Sequence, residues 1–249
     1  MTGTVLMVTG GARGIGAAIA RRAARDGWTV CVNYARDQAS AIAVVADIVK
    51  AGGKAAAIQG DVGDEASCER LFADCDRELG PLGGLVNNAG ISGPIGRVAD
   101  VSGATLDAVF RTNVTGAFLA ARETVRRLST ARGGQGGVIV NISSGAASRG
   151  SAGEFVWYAA SKGAIDSLTI GLAKEVAREG IRVVGLAPGL TATDFHATAG
   201  EPERVARMLP MVPLGRVATV EEVAGQVMFL LSDAAAYCHG STLRAAGGL

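Results

Sequence analysis

Short apolar runs alternate with amphipathic stretches along the whole chain. Within each run the apolar residues follow one another without polar alternation, as in strands of a sheet that is covered on both faces. The runs are TVLMVT, TVCVNY, KAAAIQ, GGLVNN, GVIVNIS and IRVVGLAP, and GSTLRAAGG near the C-terminus can supply a last strand. Between these runs, the pattern predicts helices over about 15–26, 37–51, 64–79, 104–131, 156–179 and 219–233.

The order of these elements predicts the fold class. Because strands and helices alternate, consecutive strands should be parallel and joined by right-handed crossovers, as in a doubly wound, Rossmann-type sheet. We expect a mostly parallel, seven-stranded sheet flanked by helices. No linker or repeat interrupts the chain, and the glycine-rich ARGGQGG at 131–137 is interpreted as a surface loop. The sequence therefore predicts a single α/β domain over residues 1–249.

Composition and charge exclude several classes of function. Apolar residues make up 49% of the chain, and 24 basic against 23 acidic residues give a net charge of +1. This balance gives no reason to expect binding to nucleic acid or to an anionic membrane. The N-terminal TVLMVT is too short for a signal peptide, and no apolar stretch approaches the ~18 residues of a membrane span. We expect a soluble, cytoplasmic protein.

Cysteine and histidine content does not indicate a metal site. The four cysteines form no CxxC pair, and in an intracellular protein we interpret them as reduced, structural residues. They are Cys31, Cys68, Cys75 and Cys238. The chain has only two histidines, His196 and His239, and the adjacent Cys238 and His239 are poorly spaced as zinc ligands. We therefore expect no bound metal.

A glycine-rich turn, TGGARGIG at 9–16, follows the first predicted strand and opens the first predicted helix. Gly10, Gly14 and Gly16 allow the backbone to turn sharply and to approach a pyrophosphate closely. The N-terminus of the new helix then offers unpaired N–H groups and its positive end to the phosphates. A glycine turn in this strand–helix context predicts a dinucleotide site, with Arg13 inside the turn.

The end of the second strand bears on the choice between NAD and NADP. In this kind of fold an acidic residue at that point binds the 2′-hydroxyl of NAD. Here the strand ends in VCVNYARD, with Asn33 and Tyr34 at its tip and Arg36 just beyond. Arg36 and Arg13 can grip a 2′-phosphate, so NADP(H) is expected rather than NAD. Asp37 follows directly, and a strand end one residue later would weaken this preference.

The segment WYAASKGA places Tyr158 four residues before Lys162, so both side chains lie on one face of a predicted helix. A free phenol has a pKa near ~10, and a nearby ammonium stabilises the phenolate. Such a pair can move a proton near neutral pH. By itself, however, a tyrosine and a lysine at this spacing are in most proteins two ordinary helix residues, and the pair gains meaning only beside a cofactor site.

The chain contains three motifs in the order TGxxxGxG at the glycine turn, NNAG at 87–90 and YxxxK. In these motifs, and over nearly its whole length, it resembles the short-chain dehydrogenase/reductase family. Within this family it is similar to 3-oxoacyl-carrier-protein reductases and glucose-1-dehydrogenase-like enzymes. The resemblance implies NADP(H)-dependent interconversion of a small carbonyl compound and its alcohol. It also implies a homotetramer formed through the long helices at about 104–131 and 156–179 and through the C-terminus.

The resemblance also implies roles for individual residues. Tyr158 would be the general acid/base, Lys162 would lower its pKa and hold the nicotinamide ribose, Ser144 would polarise the carbonyl, and Asn113 would anchor a relay water. Asp61 and Val62 would bracket the adenine. The complete implied cofactor set is Gly10, Arg13, Gly14, Ile15, Gly16, Asn33, Tyr34, Arg36, Asp61, Val62, Asn88, Ala89, Gly90, Tyr158, Lys162, Pro188, Gly189, Thr191 and Thr193.

Some alternatives stay open at the level of the sequence. Ser143 and Ser144 are neighbours at a strand end and point in opposite directions, so only one can face the substrate; Ser144 is favoured. A catalytically silent dinucleotide-binding sensor or scaffold is the alternative function. The substrate would be selected by loops at 92–101, 145–157 and 190–212, the last of which is expected to be a mobile lid, and the residues there do not choose among sugar, acyl thioester, steroid and quinone.

Overall fold

A seven-stranded, all-parallel sheet forms the centre of the protein, and the computed structural model describes residues 4–249 of it. The strands lie in the order β3-β2-β1-β4-β5-β6-β7. They are β1 Val5–Val8, β2 Thr29–Tyr34, β3 Lys54–Gln59, β4 Leu82–Asn87, β5 Gly137–Ile142, β6 Ile181–Pro188 and β7 Thr242–Ala245. The predicted doubly wound α/β fold is confirmed, including the seventh strand.

Helices cover both faces of the sheet and create two buried apolar layers. They are α1 Gly14–Arg25, α2 Gln38–Lys50, α3 Glu65–Leu79, α4 Gly103–Phe110, α5 Gly116–Leu128, α6 Ala146–Arg149, α7 Val156–Val176, α8 Phe195–Thr198, α9 Arg204–Met208 and α10 Val220–Leu231. Helices α1, α2 and α10 pack on one face, and α3, α5 and α7 pack on the other. This double cover explains the continuous apolar runs in β1 and β2, whose residues are all buried.

The strand order reverses at β1, which pairs with β2 on one side and with β4 on the other. In an open α/β sheet, a crevice opens at the carboxyl ends of the strands where the order reverses, and ligands bind there. The glycine turn follows β1 and the NNAG segment follows β4, so both lie at this crevice.

The predicted helix over 104–131 is in fact two helices, α4 and α5, separated by a π-helical turn at Arg111–Thr115. Periodicity could not reveal this turn, because the wider winding keeps the chain helical and changes only its register. The turn carries Asn113, whose side chain is buried and bonded to a neighbouring loop. The other helix predictions agree with the structure to within a few residues, apart from a 3-10 turn at Ala177–Glu179 after α7.

Two further features bear on the sequence predictions. Helix α10 begins with a capping box in which Thr219 and Glu222 exchange hydrogen bonds, at the acidic start that the sequence predicts. Among residues 4–249, no helix is long and apolar enough to cross a bilayer. The four cysteines are unbridged, and Cys31, Cys68 and Cys75 are buried.

Candidate active site

The glycine turn approaches its neighbours too closely for any larger residue at key positions. Gly10 and Gly14 have φ angles of +61° and +51°, in the left-handed region that favours glycine. A Cβ atom at Gly16 would lie 2.3 Å from the carbonyl oxygen of Gly10 and 2.6 Å from Nδ2 of Asn88. The turn is therefore a cradle with its backbone exposed toward the crevice, which fits a dinucleotide pyrophosphate.

The buried Asn33, the half-buried Asn88 and a threonine hold this turn in place. Asn33 accepts a hydrogen bond from the N–H of Gly10 (3.2 Å) and donates to the carbonyl of Gly60 (3.0 Å). Asn88 donates to the carbonyls of Thr9 and Gly10. The Thr9 hydroxyl accepts from the N–H groups of Asn88 and Ala89, so it joins the ends of β1 and β4. Sequence reasoning gave Thr9 no role of its own, since a threonine in a turn carries no distinctive signal.

The corner expected to bind the 2′-phosphate contains both predicted arginines, but it also contains a carboxylate. Nε of Arg13 lies 3.4 Å from Oδ2 of Asp37, and both side chains are partly exposed. Asp37 caps the N-terminus of α2 by accepting from the N–H of Ser40. Hydrogen bonds from Ser40 lower the pKa of Asp37, so this carboxyl stays ionised. Asp37 therefore offsets the charge of Arg13, whereas Arg36 is exposed and has no ion-pair partner among the described residues.

The expected adenine corner lies at the end of β3. The carboxylate of Asp61 accepts from the N–H of Gly63 (2.9 Å) and from Arg111 (3.0 Å). Val62 is buried beneath the start of α5, where a Cβ at Gly116 would lie 2.8 Å from its methyl group. Asp61 and Val62 are thus held rigidly at the wall of the crevice.

Tyr158 lies in the first turn of α7 and is packed between two aromatic rings. The ring centroids of Phe155 and Phe195 are each 5.5 Å from that of Tyr158. Burial raises the pKa of Tyr158, while hydrogen bonding to Ser144 and the charge of Arg204 act in the opposite direction. The protein's own groups therefore keep this phenol protonated at neutral pH.

The two neighbouring serines after β5 face different sides. The Ser143 hydroxyl is buried and donates to the carbonyl of Lys162, 3.3 Å away. The Ser144 oxygen accepts from the N–H of Ala146 (3.1 Å), which leaves its own O–H available to interact with Tyr158. The geometry thus favours Ser144 as the serine directed at the crevice.

Lys162 is buried one helical turn after Tyr158, as the i, i+4 spacing predicts. Its ammonium nitrogen donates to the carbonyl of Ile142 (2.7 Å) and lies 5.8 Å from the ring centroid of Tyr158. Burial lowers the pKa of Lys162 to about 8, and the charge of Asp166 opposes this shift. The lysine is therefore still mostly protonated at neutral pH.

Asn113 lies in the π-helical turn, and its side chain bonds to neighbouring segments instead of lining the crevice. Its Oδ1 accepts from the N–H of Ile91, and its Nδ2 donates to the carbonyl of Ile91 and to the hydroxyl of Ser161 (2.8, 2.8 and 2.9 Å). Ser161 in turn donates to the carbonyl of Tyr158 (2.7 Å). Both amide hydrogens of Asn113 are used, so the side chain clamps the loop after β4 to α7.

The segment after β6 forms the remaining wall. Gly189 sits so close to Ala246 that a Cβ would lie 2.6 Å from its Cα. Thr191 is buried and donates to the carbonyl of Gly189, and Thr193 accepts from the N–H of Phe195. Both hydroxyls therefore shape this segment, and the methyl group of Thr193 faces Gly14 across the crevice, 3.6 Å from the position of a Cβ there.

A single cavity of about 940 Å³ joins these parts. Apart from Asn113, every predicted site residue lines it. These residues are Gly10, Arg13, Gly14, Ile15, Gly16, Asn33, Tyr34, Arg36, Asp61, Val62, Asn88, Ala89, Gly90, Ser144, Tyr158, Lys162, Pro188, Gly189, Thr191 and Thr193. The further lining residues include Arg149, Phe155, Phe195 and Arg204, which lie in the predicted substrate-selecting loops 145–157 and 190–212 but which no motif marks individually.

The chain is similar to known oxidoreductases over its whole length. Residues 10–249 match the family model described as enoyl-(acyl carrier protein) reductase. Over 244 residues the chain is 48% identical to the uncharacterized oxidoreductase YgfF of Escherichia coli (strain K12). The aligned region covers 98% of this chain and 99% of YgfF.

Two solved structures show the same likeness in three dimensions. A double mutant of a Serratia marcescens short-chain dehydrogenase/reductase has 34% identity and a TM-score of 0.91, covering 99% of this chain and 98% of that one. The blue fluorescent protein from a metagenomic library, in complex with NADPH, has 33% identity and a TM-score of 0.89, with the same coverage. The chain therefore belongs to the short-chain dehydrogenase/reductase family, as its motifs indicate, and it is an oxidoreductase.

Replacing Gly16 by alanine should weaken NADPH binding by about tenfold or more, because the new methyl group forces the turn open. Isothermal titration with NADPH measures this effect. Gly225→Ala is the matched control, since a Cβ there meets only the flexible side chain of Arg22, at 3.9 Å. Equal affinities of the Gly16→Ala and parent proteins would show that the cofactor does not use the cradle.

Proposed function

We propose that this protein reduces a carbonyl compound to an alcohol, and catalyses the reverse oxidation, with NADP(H) as the hydride carrier. The observation that carries the proposal is the convergence of Ser144, Tyr158 and Lys162 on the cavity that the glycine cradle opens into. A glycine cradle alone would serve any dinucleotide-binding protein, whereas a phenol, an ammonium and a hydroxyl beside it suit proton transfer to a carbonyl.

The residues present fit a nicotinamide dinucleotide. The cradle at Gly10, Gly14 and Gly16 would hold the pyrophosphate, Asp61 and Val62 would hold the adenine end, and Lys162 would hold the nicotinamide ribose. When bound, the reduced cofactor supplies the hydride that the carbonyl carbon accepts. The protein contributes by positioning the substrate against the cofactor and by the electric field of its own groups.

The protein's own groups then handle the carbonyl oxygen. Ser144 donates a hydrogen bond to the oxygen as negative charge develops on it. Tyr158 transfers its proton to the same oxygen, which is feasible because burial keeps the phenol protonated at neutral pH. Lys162, fixed by the carbonyl of Ile142, supplies positive charge that stabilises the resulting phenolate. Because Asn113 already donates both amide hydrogens, to Ile91 and Ser161, a relay water near it would have to bind to other atoms.

The direct experiment is a panel of carbonyl compounds and alcohols assayed with NADPH, NADH, NADP⁺ and NAD⁺. Carbonyl-dependent oxidation of NADPH is the expected result. A catalytically silent sensor or scaffold would instead bind NADPH and turn over no member of the panel. The latter outcome would overturn the proposed activity and leave a dinucleotide-binding role.

NADP(H) preference is supported by Arg36 and Arg13 and by the absence of a carboxylate at Asn33 and Tyr34. We expect Arg36→Gln to lower the ratio of kcat/KM for NADPH over NADH about tenfold, since a charged hydrogen bond to the 2′-phosphate is lost. Arg132→Gln, at an exposed arginine remote from the crevice, is the control.

Because Asp37 competes with the 2′-phosphate for Arg13, we expect Asp37→Asn to raise the ratio of kcat/KM for NADPH over NADH. A parent enzyme with equal efficiency for both cofactors would contradict this preference.

A cytoplasmic homotetramer is the proposed assembly. Large apolar side chains are exposed on α5 (Phe118, 50%), on α7 (Ile170, 46%) and on α10 (Phe229, 45%), which supports contacts between copies of the chain through these helices. Light scattering tests the assembly, and a monomer at working concentration would contradict it.

A further inference from the structure

One arginine of the cavity is not used by the proposed mechanism. Arg149 ends the one-turn helix α6, which begins two residues after Ser144. Its guanidinium folds back toward the catalytic serine, because Nη2 lies 3.7 Å from the position of a Cβ at Gly145. Arg149 therefore lines the cavity beside the residue that would hold the carbonyl oxygen.

A second arginine, Arg204 at the start of α9, is fixed in the same wall. It is buried, its guanidinium carbon lies 4.8 Å from the ring centroid of Phe155, and its Nη2 lies 2.6 Å from a carboxylate oxygen of Glu154. Glu154 also pairs with Arg207, which in turn pairs with Glu201. The charges of Arg204 and Arg207 are thus matched by two carboxylates.

Arg149, by contrast, forms no ion pair with a carboxylate among the described residues. Arg149 is exposed to solvent, but partial burial of its guanidinium, and then the positive charges of Arg244 and Arg204, lower its pKa, and Glu154 opposes them. The substrate end of the cavity therefore contains a solvent-accessible arginine near two others, and no carboxylate among residues 4–249 forms an ion pair with it. An anion is the group that would neutralise it.

We propose that the carbonyl substrate carries a carboxylate or phosphate group close to its carbonyl, and that Arg149 binds this anion while Ser144 and Tyr158 bind the carbonyl oxygen. This inference rests on the proposed function and names the substrate class of the same site. The reaction is the reduction of an anionic oxo compound by NADPH and one proton, which gives the corresponding hydroxy compound and NADP⁺. Phe155 and Phe195 would contact the apolar part between the two groups.

Matched pairs of substrates test the proposal without any mutation. Acetoacetate and levulinate are compared with their methyl esters, and dihydroxyacetone phosphate is compared with dihydroxyacetone. The charged member of at least one pair should have a kcat/KM about tenfold or more higher, mainly through KM, and the preference should shrink as salt is added. The two kinds of pair distinguish a carboxylate from a phosphate.

Variants then assign the effect to one side chain. Arg149→Gln should remove the preference for the charged member, Arg149→Lys should keep part of it, and Arg70→Gln, at an exposed arginine on α3 outside the cavity, should keep all of it. The KM for NADPH should not change in any of them, which separates substrate binding from cofactor binding.

The outcomes separate this inference from the proposed function. Reduction of the neutral compounds with no preference for the charged ones would overturn the anion site and leave the proposed function intact. An unchanged preference in Arg149→Gln would also overturn it. The absence of NADPH oxidation with every compound would overturn the proposed function and, with it, this inference.

Discussion

Replacing Tyr158 by phenylalanine should reduce kcat for carbonyl reduction by about 10²–10⁴-fold, because the variant lacks the proton that the product oxygen must receive. The ring remains, so its contacts with Phe155 and Phe195 and the affinity for NADPH should persist. Steady-state oxidation of NADPH, with the carbonyl substrate that the panel identifies, measures the loss. Calorimetric titration of both proteins with NADPH checks that binding survives.

Tyr237→Phe is the matched control for this variant, since it removes the hydroxyl from a tyrosine that is fully exposed and outside the cavity. Its kcat should equal that of the parent. Turnover by the Tyr158→Phe protein at the parent rate would mean that another group or water donates the proton, and the assignment of Tyr158 would be wrong.

The second large effect concerns stability and is caused by burying Lys162. The pKa of Lys162 is about 8 in the folded protein, against 10.5 for an ordinary lysine. Between these values the unfolded chain binds a proton that the folded chain does not, so stability contributed through this group rises with pH. Burial of the charged lysine thus destabilises the protein at neutral pH by about 3 kcal/mol, and the penalty shrinks as pH increases.

Lys162→Met should remove this dependence. We expect the gain in free energy of unfolding caused by the substitution to be about 2 kcal/mol larger at pH 7 than near pH ~9.5. Urea titrations of both proteins at the two pH values measure the difference. Lys50→Met, at an exposed lysine on α2, is the control and should show no such change. An equal effect of Lys162→Met at both pH values would contradict a lowered pKa for this lysine.

Much of the site follows from short-range patterns in the sequence. The positive φ angles of Gly10 and Gly14 require glycine, and the i, i+4 spacing of Tyr158 and Lys162 brings both side chains to one face of α7. Strand alternation then brings the loops after β1, β4, β5 and β6 to one edge of the sheet. These features depend on backbone geometry, which sequence patterns report well.

Other features depend on contacts between distant segments and could not be predicted. The π-helical turn at Asn113 is stabilised by bonds to Ile91 and Ser161, from outside the turn. The pairing of Arg13 with Asp37 depends on where β2 ends, a point that the sequence left open. Arg149 and Arg204 reach the cavity only because α6 and α9 fold over it, and no local spacing marks either residue.

A crystal structure of the protein with bound NADP⁺ would locate the nicotinamide ring relative to Tyr158. We expect the pyrophosphate over the cradle at Gly14 and Gly16, with the nicotinamide ring beside the hydroxyl of Tyr158 and its ribose within reach of Lys162. A nicotinamide ring held elsewhere, with the Tyr158 oxygen directed away from it, would contradict the proposed catalytic arrangement.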